Sequence, residues 1–207
     1  MIRIKRLWMP VLVCLAVACL IEIPLGMTDI FGEDVILWNT LFRTIGVVPV
    51  LCYFYKEDTV LRGERRLNLR FAAILFAIGA ILSVAFRFGF LMIGIPGYEE
   101  ASRTLLTGNV PLEFLVLLGA SPLLEELFFR GVLYGRMKEL MSVRSAAILS
   151  AVLFGLYHGN ISQGLYGFFM GLILAWAMER CRTVTAPLII HIASNASALF
   201  LELVILF

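Results

Sequence analysis

Residues 69–95 read LRFAAILFAIGAILSVAFRFGFLMIGI, an apolar run that is interrupted by two arginines, Arg70 and Arg87. A stretch of about 20 predominantly apolar residues crosses the hydrocarbon core of a bilayer as an α-helix, so this run predicts a transmembrane helix. Six similar segments lie around it, at approximately residues 7–26, 35–55, 111–137, 145–158, 161–178 and 185–207. The sequence therefore predicts an all-α fold, a polytopic membrane helix bundle with about seven transmembrane segments.

The composition is typical of a membrane protein. Of the 207 residues, 61% are hydrophobic and 15% are charged, whereas about a quarter of a soluble domain is charged. Because the chain shows no repeat or linker, we expect a single integral membrane domain over residues 1–207, surrounded by a lipid bilayer. The N-terminal helices occupy about residues 7–95 and a motif-bearing core about 111–207. No basic block indicates binding to nucleic acid.

Basic residues fall in alternate loops. The first loop carries Asp29, Glu33 and Asp34 without a base, and the third carries two glutamates, Glu99 and Glu100, against Arg103 alone. The positive-inside rule then predicts a cytoplasmic N-terminus and an exported C-terminus, in what we expect to be a bacterial plasma membrane. The bases that set this orientation are Arg3, Lys5, Arg6, Lys56, Arg62, Arg65, Arg66, Arg70, Arg136, Lys138, Arg144, Arg180 and Arg182.

The fifth segment is shorter than the others and is followed by Gly159-Asn160. We expect this helix to stop at mid-membrane instead of reaching the exported face. Non-helical backbone at that depth must line a cavity or be buried in protein.

The fourth segment places two adjacent carboxylates and an arginine inside the membrane, where ionisable groups are costly. Glu126 and Arg130 are four residues apart and can pair on one helix face, whereas Glu125 points about 100° away. A desolvated carboxylate that keeps a water molecule can act as a general base. The alternative is a structural ion pair between helices.

Both histidines of the chain are paired with another residue at a spacing of four. Phe154 and His158 lie on the fifth segment, and His191 and Asn195 share one face of the seventh. Such polar groups can bond to a neighbouring helix or direct donors at one point, as an oxyanion hole requires. From the cytoplasmic ends, Glu125 lies at about 17 Å, His158 at most about 20 Å and His191 at about 9 Å. We therefore expect one shared cavity, open towards the cytoplasm.

Other charges within the spans are interpreted as structural. Glu22, Glu113 and Glu202 lie near the exported ends of their segments, where long side chains can reach the interface. Arg43 and Arg87 are expected to pair with a neighbouring helix or to reach the same interface.

Three motifs, in this order, resemble the CAAX-protease and bacteriocin-processing (Abi) family of intramembrane glutamic endopeptidases. The resemblance covers about residues 113–199. The family's Glu-Glu-x-x-x-Arg, Phe-x-x-x-His and His-x-x-x-Asn motifs are matched by Glu125, Glu126 and Arg130, by Phe154 and His158, and by His191 and Asn195.

The resemblance implies hydrolysis of a peptide or protein substrate at the membrane, without a cofactor. In that family pattern Glu125 activates a water molecule, and His158 helps to hold or deprotonate it. His191 and Asn195 stabilise the oxyanion. The motif residues Glu126, Arg130 and Phe154 support the site.

Three alternatives remain at this level. Two histidines and Glu125 could ligate zinc in a metalloprotease, although the sequence has no His-Glu-x-x-His helix. A non-enzymatic immunity or binding protein would not need the complete motif set. A transporter is disfavoured because the commonest transporter folds contain inverted repeats. The substrate's identity and the oligomeric state are left open.

Overall fold

A computed structural model describes residues 2–64, 66–94 and 106–206, and in these residues the chain forms seven long helices. The charges expected at Arg65, Glu99, Glu100 and Arg103 lie outside the described residues. The helices are α1 (Ile2–Gly26), α2 (Val35–Arg62), α3 (Leu69–Ile93), α4 (110–137), α5 (Val143–Tyr157), α6 (Ile161–Cys181) and α7 (Thr185–Leu206). The predicted all-α bundle is confirmed.

Five of the helices are long and apolar enough to cross a membrane, namely α1, α2, α3, α6 and α7. The fourth helix has the length but carries charges in its middle. It is continuous through two π-helical stretches, Val116–Ala120 and Leu127–Tyr134, a form of helix that is frequent at functional sites. The fifth helix, α5, is a shorter apolar helix, as its sequence predicted.

The second helix continues to Arg62, beyond the predicted end near residue 55. Its last turns are anchored by Asp58, which is 2% exposed and lies 2.8 Å from both Arg6 and Arg136. Hydropathy alone missed this extension because the turns that follow the apolar run are held by ion pairs.

Contacts between helix termini define two ends of the bundle. At the basic end, Arg6 of α1 and Arg136 of α4 meet Asp58 of α2, and Lys138 bonds to Glu179 of α6. The opposite, acidic end contains the loop with Asp29, Glu33 and Asp34. There Asp34 accepts a hydrogen bond of 2.7 Å from Asn109, just before α4.

Close contacts at glycine bring the site-bearing helices together. A Cβ atom at Gly155 of α5 would lie 2.5 Å from the carbonyl oxygen of Gly164 on α6, and one at Gly79 of α3 would lie 2.3 Å from that of Ile190 on α7. Small residues allow membrane helices to approach in this way. The α5–α6 turn uses Gly159 with φ of +72°, and Asn160 caps α6 by accepting a 2.8 Å bond from the Gln163 backbone amide.

Candidate active site

A fully buried ion pair lies at the centre of α4. Glu126 and Arg130 are both 0% exposed, and Arg130 donates to Glu126 over 3.0 Å. His191 of α7 approaches the same carboxylate, with its Nδ1 atom 2.7 Å from Glu126 Oε1. Because a carboxylate oxygen accepts, Nδ1 carries the proton in this arrangement. Glu126 therefore fixes the orientation of the His191 ring.

Glu125 points away from this pair. It is 7% exposed, and its Oε1 atom accepts a hydrogen bond from Ser121, one turn earlier in α4. Its Oε2 atom lies 3.8 Å from Nε2 of His191. The two adjacent glutamates are thus divided as their 100° separation suggested, one held by Arg130 and one facing the other side.

Phe154 connects the ion pair to the second histidine. The guanidinium of Arg130 stacks over the Phe154 ring at 4.1 Å, a cation–π contact. His158 packs edge-on against the same ring at 4.9 Å, and its Nδ1 atom lies 2.8 Å from the Phe154 carbonyl oxygen. Since a carbonyl can only accept, Nδ1 donates, and Nε2 of neutral His158 keeps a lone pair.

Asn195 contacts the first π-helical stretch of α4. Its side-chain amide donates to the carbonyl oxygen of Leu117 over 2.8 Å. This bond ties α7 to α4 one helical turn beyond His191, and it occupies one of the two amide hydrogens of Asn195.

A cavity of about 230 Å³ brings the predicted catalytic residues together. Its lining includes Glu125, His158, His191 and Asn195. Phe154 also lines it, whereas Glu126 and Arg130 lie behind the wall as a buried support. The helices α4, α5 and α7 therefore bring separate polar groups to one cavity.

Comparison with known proteins gives two matches, one to a family model and one to a curated protein. Residues 107–197 match the family model described as Type II CAAX prenyl endopeptidase Rce1-like. The chain is also 27% identical, over 178 residues, to the Bacillus subtilis (strain 168) protein named "Putative membrane peptidase YdiL", with 81% of this chain and 72% of that protein covered. Both matches support a membrane protease of the CAAX-protease and bacteriocin-processing family. No solved structure matches it.

The sequence analysis did not identify several polar residues that line the cavity. They are Ser121, which bonds to Glu125, and a group of hydroxyls from three helices: Ser83 of α3, Tyr166 of α6 and Ser194 of α7. Tyr166 and Ser194 bond to each other. Serine and tyrosine are common in membrane helices, so only their convergence in space distinguishes these.

The expectations for the remaining membrane charges were partly wrong. Glu202 is 5% exposed and accepts a 2.8 Å bond from Arg87, so it is buried in an α3–α7 ion pair on the cavity wall instead of snorkelling. Glu113 is 2% exposed and accepts a 2.8 Å bond from the backbone amide of Gly108. The pairing expected for Arg43 is confirmed, 2.8 Å from Glu22.

The direction of the cavity also differs from the expectation. Its lining extends from Glu125 towards the start of α4 and from His191 to Glu202 near the end of α7. Both directions lead to the acidic end, whereas the depth argument had placed the opening at the basic end. The depth argument placed Glu125, His158 and His191 at compatible depths, but it gave no information about how the helices pack on either side of them.

Within the described residues, no group of three His, Cys, Asp or Glu side chains is arranged to hold a metal ion. The hydrogen bonds of His158 and His191 leave fewer ring nitrogens available to bind a metal ion. Both Nδ1 atoms are used, one on Glu126 and one on the Phe154 carbonyl. Zinc remains an alternative that a chelator can test directly.

Proposed function

We propose that this membrane protease is a glutamic-type endopeptidase, in which Glu125 activates a water molecule to hydrolyse a peptide bond of a membrane-associated peptide or protein. The observation that carries the proposal is the separation of the two glutamates. Glu126 is committed to Arg130 and His191, whereas Glu125 faces the cavity with a single serine donor. A general base needs such access to water and substrate.

In the proposed reaction, the Glu125 carboxylate takes a proton from a water molecule held between it and Nε2 of His158. The resulting hydroxide attacks the carbonyl carbon of the scissile bond. As the tetrahedral intermediate collapses, the carbon–nitrogen bond breaks and the proton on Glu125 passes to the leaving amine nitrogen. The chain's own groups thus balance the hydrolysis without an additional reactant.

His191 and the free amide hydrogen of Asn195 supply the oxyanion donors in this proposal. With Glu125 and Glu126 ionised and Arg130 charged, an imidazolium at His191 would make the buried cluster neutral, which a low-dielectric interior favours. Its Nε2–H would then point to the side of Glu125. Oxyanion donors of this kind typically contribute about 10²–10³ in kcat each.

The test compares the purified wild-type protein with Glu125→Gln in detergent, using a quenched-fluorescence peptide library with and without a chelator. Glu22→Gln is the matched control, because it removes a membrane glutamate that pairs with Arg43 and does not line the cavity. We expect Glu125→Gln to lose about 10²–10⁴ in rate, Glu22→Gln to retain activity, and the chelator to have no effect.

Other outcomes separate the alternatives. Full activity in Glu125→Gln would refute the glutamate-activated water. Loss of activity with chelator, restored by Zn²⁺, would favour the metalloprotease. Absence of cleavage by the wild-type protein, together with a biological effect that Glu125→Gln retains, would favour a binding or immunity protein.

A further inference from the structure

Most of the cavity lies on the acidic-end side of the Glu126–Arg130 pair, and along α6 its lining reaches Leu174, about one turn past the Gly171 carbonyl that Arg130 contacts. Along α7 its lining runs from His191 through Asn195 and Ala198 to Glu202, twelve residues that span about 16 Å of helix. Along α4 it includes Leu117, Ser121 and Glu125 but none of the residues that follow.

The other half is closed by packing. Every residue of α4 from Gly131 to Met137 is buried, so this part of the helix has neighbours on all sides. Ile190 of α7 and Ala177 of α6 are 0% exposed in the same core cluster. Arg130 closes the boundary, because it is stacked on Phe154 and lies 3.4 Å from the Gly171 carbonyl. In the described residues, this core lies between Glu125 and the basic end of the bundle.

Charge identifies which face each half meets. The closed half ends in the lysines and arginines of alternate loops, and the half with the cavity ends in Asp29, Glu33 and Asp34. Bases near transmembrane ends remain in the cytoplasm. The cavity therefore faces the exported side.

We infer that the substrate reaches Glu125 from the exported face, so that the protease acts on an exported peptide or on the outer juxtamembrane segment of a membrane protein. The term substrate here rests on the proposed function. The length of the cavity matches an extended segment of about five residues. Its walls combine apolar side chains, such as Leu117 and Leu199, with the hydroxyls of Ser83, Tyr166 and Ser194.

The route is tested with single cysteines in a variant that lacks Cys14, Cys19, Cys52 and Cys181. Ala198→Cys reports on the cavity, Asp29→Cys on the acidic end and Ser142→Cys on the basic end, where Asp29 and Ser142 are exposed. A membrane-impermeant thiol reagent is applied to spheroplasts before and after permeabilisation. Gln163→Cys, also in the cavity lining, serves as a second reporter if Ala198→Cys fails to accumulate.

We expect Ala198→Cys and Asp29→Cys to react in intact spheroplasts and Ser142→Cys to react only after permeabilisation. Reaction of the cavity cysteine together with Ser142→Cys, or no reaction of either cavity cysteine from any side, would overturn the inference. Reaction of Ser142→Cys in intact spheroplasts would overturn it as well, because the bundle would then be inverted.

Labelling does not depend on catalysis, so the experiment is repeated with Glu125→Gln. The same labelling pattern in that variant tests the route even if the cleavage assay has failed. If the cavity cysteines instead react only after permeabilisation and the wild-type protein still cleaves peptides, the exported route is wrong but the proposed endopeptidase activity is not contradicted.

Discussion

The three N-terminal helices and the helices that carry the motifs differ in what surrounds them. In the most apolar windows of α1, α2 and α3, 11%, 22% and 17% of residues are buried, against 39% in both α6 and α7. The N-terminal helices therefore present most of their surface to lipid, whereas α6 and α7 present much of theirs to protein. A charge at the same depth has different consequences in the two regions.

Two ion pairs show this difference. Glu22 and Arg43, between α1 and α2, have side chains that are 36% and 23% exposed, whereas those of Glu126 and Arg130 are both 0% exposed. Removing one partner of a partly exposed pair leaves a group that can still reach the interface. Removing one partner of a buried pair leaves an uncompensated charge.

The third helix belongs to both regions. It is largely lipid-facing, but Gly79 touches the α7 backbone, Ser83 lines the cavity and Arg87 pairs with Glu202. The motif-bearing helices therefore do not enclose their cavity alone. This gives a structural role to one of the helices in which the sequence showed no motif.

The largest effect is expected for Arg130→Met, which leaves Glu126 charged and unpaired by arginine in a fully buried position. Loss of one partner of a buried pair typically costs about 3–5 kcal/mol. Arg43→Met is the matched variant in the N-terminal helices, and we expect about 1 kcal/mol or less there. The midpoint of thermal unfolding in detergent measures both, and equal shifts would contradict the distinction between the two regions.

An intermediate effect is expected for Gly79→Ala. Its new methyl group would lie 2.3 Å from the Ile190 carbonyl oxygen, so α3 must move away from α7. Overpacking of this kind costs about 1–3 kcal/mol and displaces Ser83 from the cavity wall. Gly89→Ala, on the same helix with no atom within 4 Å of its Cβ position, should leave thermal stability and cleavage rate unchanged. A normal cleavage rate in Gly79→Ala would show that α3 is dispensable for the site.

The smallest effect is expected for Ser121→Ala, which removes the hydrogen bond to Glu125 without creating a buried charge. Because water in the cavity can replace the serine hydroxyl, we expect a loss of about 1 kcal/mol, which lowers the unfolding midpoint by about 2–4 °C and the cleavage rate by about tenfold or less. Ser150→Ala is the control, because this buried serine donates to the Phe129 carbonyl and not to the site. An equal fall in both variants would indicate general loosening of the bundle.

Much of the fold could be predicted because a bilayer imposes a simple rule on the backbone. The predicted boundaries near Val35, Leu69, Ile161 and Thr185 coincide with the observed starts of their helices. The end of α2 could not be predicted, since it depends on Asp58 meeting arginines that are distant in the sequence. The burial of Glu202 was missed for the same reason, because its partner Arg87 is 115 residues away in the sequence.

The sequence by itself determined the helices, the charge asymmetry of the two ends and the division between Glu125 and Glu126, because hydropathy and the 100° helical turn are local properties. Tertiary structure decided that five motif residues share one cavity, that Ser121 and the hydroxyls of three helices line it, and that it extends towards the acidic end. These features depend on how closely helices distant in sequence approach each other. That distance is set by contacts such as Gly79 with Ile190 and Gly155 with Gly164. The spacing of apolar residues along the sequence does not reveal these contacts.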